Sequence, residues 1–236
     1  MDDLTDTLGM LSRALKTLMT IIEGYADMLL EKKKGLSADE RDMLGQIKRC
    51  SVKTTRLVQN FLTLMEIESG KTNISPRPVP LGLLVPVIAN EFSSAAGYKR
   101  VSIHSDIPPG LPDAHVDEYH FGRAMSNVLS NAVKFSSEGG RIWVRAGMAA
   151  PDLPSRLFLE IKDEGPGIPA KNLPHIFEKY YSADQNGDMA GAGLGLAIVK
   201  ALTGLHGGSV ELSSLEGEGV TVRLVVPASP TAPSIP

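Results

Sequence analysis

Phe121-Gly-Arg-Ala-Met-Ser-Asn127-Val-Leu-Ser-Asn131-Ala-Val-Lys134-Phe135 is the stretch on which the reading of the whole chain turns. At 100° per residue, Phe121, Met125, Val128, Leu129, Ala132 and Val133 share one face, and Asn127, Asn131 and Lys134 share the other. One side packs; the other presents two amides and an ammonium in a single row. Amide oxygens suit Mg²⁺ beside its waters, and an ammonium suits phosphate. Taken alone the row reads as an ordinary solvated face, so its chemistry depends on the motifs that follow it.

The 236 residues make one large domain or two modest ones, and 42% hydrophobic content is enough for real cores. A net charge of −3 and a pI near 6.0 supply no basic field, so nucleic acid is not an expected partner. Cys50, the single cysteine, cannot form an internal disulfide, which fits a reducing compartment. No apolar run approaches the roughly 18 residues of a membrane span, and Met1-Asp-Asp lacks the basic start of a secretion signal. The expectation is a soluble, cytoplasmic chain.

Leu4, Leu8, Leu11, Leu15, Leu18, Ile22, Tyr25 and Leu29 recur at alternating spacings of four and three, a seam that demands a partner helix. Asp2 and Asp3 at its start and Lys32-Lys33-Lys34 at its end complement the helix dipole. Gly35 and Leu36 break it, and Ser37-Ala-Asp-Glu40 reads as a capping box that opens a second helix. There Met43, Ile47, Cys50, Leu57, Phe61 and Met65 continue a seam to about Gly70. The result is a helical hairpin over residues 1–72. Its seams are buried best by a second copy, so a homodimeric four-helix bundle is expected.

Ser75-Pro-Arg-Pro-Val-Pro80 reads as a stiff linker, at 73–80. Beyond it helical and strand signals alternate. A helix is expected over 81–95 with Leu84, Val87, Ile88 and Phe92 inward, then a short strand over 101–105 and the asparagine helix. Strands at 142–146 and 157–162 should pair as a hairpin, a helix should run to about Leu205, and strands at 209–213 and 220–226 should flank Gly217 and Gly219. The fold class is α+β: the two-helix hairpin, then an α/β sandwich over residues 81–227, a mixed and mostly antiparallel sheet with helices on one face. The proline-rich residues 228–236 should be disordered.

Two further motifs bear on chemistry. Asp163-Glu-Gly165-Pro-Gly167 ends a strand with a carboxylate and with glycines that let backbone approach a flat ligand; an exocyclic amine is a natural donor to such a carboxylate, though an ordinary turn has the same sequence. Gly191-Ala-Gly193-Leu-Gly195 precedes a helix whose free amides suit phosphate. It is neither a Walker sequence nor a good dinucleotide fingerprint, because no Gly-Lys-Ser or Gly-Lys-Thr follows and the third glycine comes one residue early.

In this order and spacing, the asparagine helix, Asp-x-Gly-x-Gly, a hydrophobic-poor loop over 182–190 and Gly-x-Gly-x-Gly resemble the ATP-binding domain of sensor histidine kinases. That domain is related to the gyrase, Hsp90 and MutL group. Ile176-Phe177-Glu-Lys-Tyr180-Tyr181 and Leu205-His-Gly-Gly208 extend the resemblance. It implies that Asn131 with Asn127 holds Mg²⁺ and phosphate, that Lys134 contacts phosphate, and that Asp163 binds the adenine amine of ATP. Gly165 and Gly167 would shape the purine pocket, Gly191, Gly193 and Gly195 would close over the triphosphate, Phe177 would be the hydrophobic anchor and Thr221 the adenine-side threonine.

The helical hairpin resembles the dimerisation and phosphoacceptor domain of bacterial two-component histidine kinases. Where that family has a stretch like Ser-His-Glu-Leu-Arg-Thr-Pro-Leu, this chain has Ser12-Arg13-Ala14-Leu15-Lys16-Thr17-Leu18-Met19. Arg13 stands at the acceptor position. An imidazole nitrogen is nucleophilic near neutral pH, whereas a guanidinium stays protonated and is no nucleophile. Ala14 replaces the acidic neighbour and Leu18 the proline; His104, His115, His120, His175 and His206 all lie in the second domain and read as surface or loop residues. Thr17 matches a family threonine associated with dephosphorylating a response regulator, but it lacks the acid beside it.

The resemblance thus implies a dimeric, ATP-binding signalling protein that does not phosphorylate itself on the usual histidine. It would act as a switch on a response regulator or another histidine kinase. The alternative is a working kinase whose acceptor lies on a partner or on a non-standard residue. A slow ATPase of the gyrase type ranks last, because Asn127-Val-Leu-Ser-Asn131 carries no acid to activate water.

Overall fold

The computed structural model of the protein describes residues 2–33, 35–149, 155–181 and 193–230, with side chains from residue 14 onward. The chain divides into two compact units between Thr72 and Asn73. Among the described residues no helix is long and apolar enough to cross a membrane.

The first unit is a hairpin of α1 (Asp2–Lys32) and α2 (Ala38–Glu68). Ser37 and Glu40 close the expected capping box: Glu40 N donates to Ser37 Oγ at 3.2 Å and Ser37 N to Glu40 Oε2 at 2.8 Å. Small side chains allow the two helices to approach, with Ala26 and Ser51 buried, and Ser51 Oγ donates to Met19 O at 2.7 Å. The heptad seam points elsewhere. Leu18 is 53% exposed and Tyr25 63%, and Ile22, Leu29, Met43 and Ile47 are exposed with them.

The second unit is a five-stranded sheet in the order β2-β4-β5-β7-β6, covered on one face by helices. β2 (Ser102–Asp106) lies parallel to β4 (Arg141–Met148); β4 with β5 (Arg156–Asp163), β5 with β7 (Gly219–Pro227) and β7 with β6 (Ser209–Leu215) are antiparallel. Alternation sends Ile142, Val144, Leu157, Leu159, Ile161, Val222 and Leu224 into the core, where they are almost wholly buried. The covering layer is α5 (Glu118–Phe135), with α3 (Leu81–Glu91) and α6 (Gly195–Leu205) packed against it. All six apolar residues expected on the inner face of α5 are buried.

Four expectations need correction. The helix expected over 81–95 stops at Glu91: the Ser93 hydroxyl donates to Asn90 O at 2.7 Å, competing with the helix ladder, and α4 (Ser93–Tyr98) starts afresh. Val87, expected inward, is exposed, while Leu81, Leu84 and Val85 carry the buried face. The segment read as a linker contains β1 (Arg77–Val79), which pairs with β3 (Ala114–Val116); a two-stranded ribbon tolerates Pro78 because its open edge asks for no N–H. The proline-rich tail is fixed at its start, since Ala228 N donates to Ser155 O and Ser229 N to Asp113 O, each at 2.7 Å.

A lysine caps α5. The last carbonyls of a helix have no partner within it. Lys99 Nζ donates to Val133 O at 3.1 Å, Lys134 O at 2.7 Å and Ser136 O at 2.9 Å, so one ammonium satisfies the end of the helix and complements its dipole. Replacing Lys99 by Met should lower the unfolding free energy of the second unit by about 1–3 kcal/mol in urea titrations. An unchanged midpoint would show that water serves those carbonyls equally well.

Candidate functional site

The row of amides lies where the second glycine motif can meet it. Asn127 and Asn131 are half-buried on α5, and Asn127 Nδ2 donates to Arg123 O at 3.1 Å, a bond that does not use its oxygen. A Cβ built on Gly195, the first residue of α6, would lie 3.6 Å from Asn127 Oδ1 and 4.0 Å from Asn131 Nδ2. Among the described residues no side chain caps the start of α6, and the Gly195 distances place its first turn and positive dipole end beside the two asparagines. Lys134, at the far end of the row, holds Nζ 4.4 Å from the centroid of the Phe135 ring.

Gly193 has a left-handed backbone, φ +66°, and a Cβ there would lie 2.5 Å from Tyr180 C and Tyr181 O. Tyr180 N donates to Gly193 O at 2.9 Å, so only glycine fits this junction. Gly191 lies outside the described residues. Phe177 is half-buried with Lys200 Nζ of α6 5.8 Å from its ring centroid, on the flank of α6.

Asp163 ends β5 on the helix-covered face and is 6% exposed. Burial pushes its carboxyl above the usual range, against two hydrogen bonds that favour the anion: Oδ1 accepts from Gly165 N at 2.9 Å and from Val220 N at 3.2 Å. A Cβ on Gly165 would lie 2.8 Å from both Asp163 Oδ1 and Phe135 O, and one on Gly167 would lie 2.2 Å from Leu215 O. The turn after Asp163 therefore closes against both α5 and the β6–β7 turn. Glu164 is held from the side, with Arg141 Nη2 donating at 2.8 Å and Nε at 3.2 Å, and this pairing pulls its carboxyl down.

Thr221 is not part of this cluster. It pairs with Lys162 and Ser213, and strand alternation places all three on the open face of the sheet, opposite Asp163. Val220, one residue earlier, is the one whose amide reaches the carboxylate.

Two supports of the site were not singled out from the sequence. Asp117 caps the N-terminus of α5: Oδ1 accepts from His120 N and Oδ2 from Ser75 N, both at 3.0 Å. Burial raises this carboxyl, but the bonds from His120 and Ser75 outweigh it and hold its pKa at about 2. An Asp immediately before a helical pattern is a capping signal, so this residue was legible in principle. His206, expected at the surface, is 5% exposed: its Nδ1 lies 2.8 Å from Leu202 O, and Nε2 accepts from Asp117 N at 3.0 Å. That bond requires neutral imidazole, and burial lowers the pKa accordingly. His104 and His175 are exposed as expected.

Residues 3–70 match the family of His Kinase A (phospho-acceptor) domains, and residues 116–230 match that of histidine kinase-, DNA gyrase B- and HSP90-like ATPases. The chain is 30% identical over 225 residues to the sensor histidine kinase TmoS of Ectopseudomonas mendocina, covering 94% of this chain and 23% of that one. It is 29% identical to the sensor protein KdpD of Escherichia coli K12, covering 97% of this chain and 25% of that protein. It thus spans about a quarter of the length of these relatives. A solved structure of full-length ShkA in complex with AMPPNP superposes with a TM-score of 0.74 at 29% identity, covering 97% of this chain and 47% of that one.

The Asp117 cap makes stability depend on pH in a definite direction. Its carboxyl titrates near 3.8 when free and at about 2 in the fold, so the anion stabilises the folded state by about 2 kcal/mol above pH 4. That contribution is lost as pH falls through 2. Urea midpoints should fall between pH 4 and pH 2 by more in the unaltered chain than in Asp117→Asn; parallel curves would remove the cap from the account.

Proposed function

The chain is a two-component histidine-kinase-like signalling core with an ATPase-type domain, and we propose that it binds ATP with Mg²⁺ and acts as a dimeric, nucleotide-dependent switch without phosphorylating itself on the usual histidine. The observation that carries this reading is Arg13. It sits on α1 within the stretch matched to phospho-acceptor domains, and the register of Ser12 and Thr17 around it supports reading it at the position of the family's histidine. A guanidinium keeps its proton at any physiological pH, so it has no lone pair to attack a γ-phosphate. Neither α1 nor α2 contains a histidine to take its place.

The nucleotide half rests on the cluster around Asp163. A carboxylate held at the sheet end, with Gly165 and Gly167 allowing close approach, suits the amine and flat face of adenine. The convergence of Asn127, Asn131 and the start of α6 suits a polyphosphate with its metal: two amide oxygens are hard ligands for Mg²⁺, and the helix amides complement phosphate charge. Among the described residues no cluster of three or more His, Cys, Asp or Glu could hold a metal, and this reading rests on the amide oxygens with water and phosphate as further donors. Bound there, Mg²⁺ would neutralise phosphate charge. Lys134 would add an ammonium to the same end, and Gly191, Gly193 and Phe177 would belong to the segment that covers it.

A second reading, transfer of phosphate to a partner's histidine, is favoured by the same observation from the other side. Asn127, Asn131 and Gly195, the residues read as facing phosphate, lie together in a chain that carries Arg13 at the position read as the acceptor. Either way the expected partner is a response regulator or another histidine kinase.

Dimerisation follows from the exposed seam. Leu18, Ile22, Tyr25, Leu29, Met43 and Ile47 are large apolar groups that one hairpin leaves in water, and a second copy offers the same row in return. Sedimentation at micromolar concentration should find a dimer, which Tyr25→Asp with Ile47→Asp should dissociate; a monomeric unaltered chain would overturn the bundle.

Incubated with γ-labelled ATP and Mg²⁺, the purified chain should retain nucleotide yet carry no covalent label, and Asp163→Asn should abolish the retention. Acid-labile, base-stable label would reveal a phosphohistidine and acid-stable label a phosphorylated Ser12, Thr17 or Thr20. Either would overturn the switch reading.

A further inference from the structure

We propose that Ser214 is a positioning residue that fixes the Asp163 carboxylate for a base carrying an exocyclic amine, a role that rests on the adenine reading above. One peptide group links the two residues, the planar unit between Gly219 and Val220. Its carbonyl, Gly219 O, accepts from Ser214 Oγ at 2.6 Å, and its N–H, on Val220, donates to Asp163 Oδ1 at 3.2 Å. Because the unit is rigid, fixing the carbonyl at one end aims the N–H at the other.

The same hydroxyl oxygen accepts from Ile168 N at 2.9 Å, immediately after Gly167. Ser214 thus joins the loop that follows Asp163 to the strand that holds Asp163 in place. The bonds form one directional chain, from Ile168 N–H to Ser214 O–H to the Gly219 carbonyl, and from that peptide's N–H to the carboxylate. Each link polarises the next.

Packing leaves no slack in this chain. Gly219 has φ +87°, and a Cβ there would lie 2.0 Å from Asp163 O, so the peptide is pressed directly against the residue it orients. Gly217 N donates to Pro166 O at 2.7 Å, which closes the turn on its outer side. Among these bonds only those of Ser214 are made by a hydroxyl that a substitution can remove while the backbone stays. Without it the carboxylate keeps its Gly165 bond, but the second amide loses its orientation. Oδ1 can then turn, and a ligand amine meets a carboxylate of less defined direction.

The test uses the full chain and two probes that differ only in the amine: ATP and the triphosphate of purine riboside. Ser214→Ala should weaken ATP binding about tenfold and leave the amine-free nucleotide within about twofold. Ser214→Thr, which keeps the hydroxyl, should restore ATP affinity. Equal loss for both nucleotides would make Ser214 a purely structural residue, and unchanged ATP affinity would remove it from the site; either overturns the inference. Should Ser214→Ala fail to fold, Ser214→Cys, close in volume and weak in both bonds, is read by the same criteria. Asp163→Asn separates the two levels: ATP lost there but kept in Ser214→Ala defeats only the role of Ser214, whereas no ATP binding by the unaltered chain defeats the adenine reading itself.

Discussion

A carboxylate under a helical layer is costly to ionise, and the second unit is arranged around making that cost bearable at Asp163. Burial works against the anion, and two amides on one oxygen work for it. Those amides come from very different distances along the sequence, Gly165 just after β5 and Val220 in β7. Asp163 is therefore held only when β5 and β7 are paired in register. The paired strands in turn explain the glycines: a side chain on Gly167 or Gly219 would enter backbone that already occupies the space.

The asparagine helix obeys the same economy at its two ends. Asp117 takes the first-turn amide of His120 and also ties down Ser75, while its own backbone N–H is taken by His206 from the end of α6. Lys99 satisfies the last carbonyls. With both ends fixed by groups distant in sequence, the middle of α5 can hold Asn127 and Asn131 at a constant distance from Gly195 without those residues contributing to the core. One helix thus divides its faces: the inward side packs, the ends anchor, and Asn127 and Asn131 lie beside the start of α6.

Much of this was legible in the sequence where one periodic signal decided the matter. The face of α5 was readable because six apolar residues at helical spacing left no alternative, and the β4–β5 hairpin because its alternation was clean. The capping box at Ser37 was local and complete. What escaped was set by contacts between distant segments. Thr221 fitted the expected motif, yet a strand turns over at every residue, and nothing in the sequence showed whether Val220 or Thr221 faces Asp163. Pro78 and Pro230 suggested loose chain, but their neighbours are held by β3 and, at Ala228 and Ser229, by backbone partners at Ser155 and Asp113. Lys99 carries no sequence signal at all, since its partners are carbonyls more than thirty residues away.

The sheet order adds a consequence in time. β7 is the last strand among the described residues but not an edge: it lies between β5 and β6 and supplies the second amide to Asp163. A nascent chain that has left the ribosome only as far as β6 has a gap where the sheet's central seam belongs, with β5 open along one side. The pairing that closes it spans about sixty residues and is among the slow, non-local steps of folding. Until β7 is paired, Asp163 has the Gly165 amide alone, so the carboxylate is held from both sides only once this non-local step is complete.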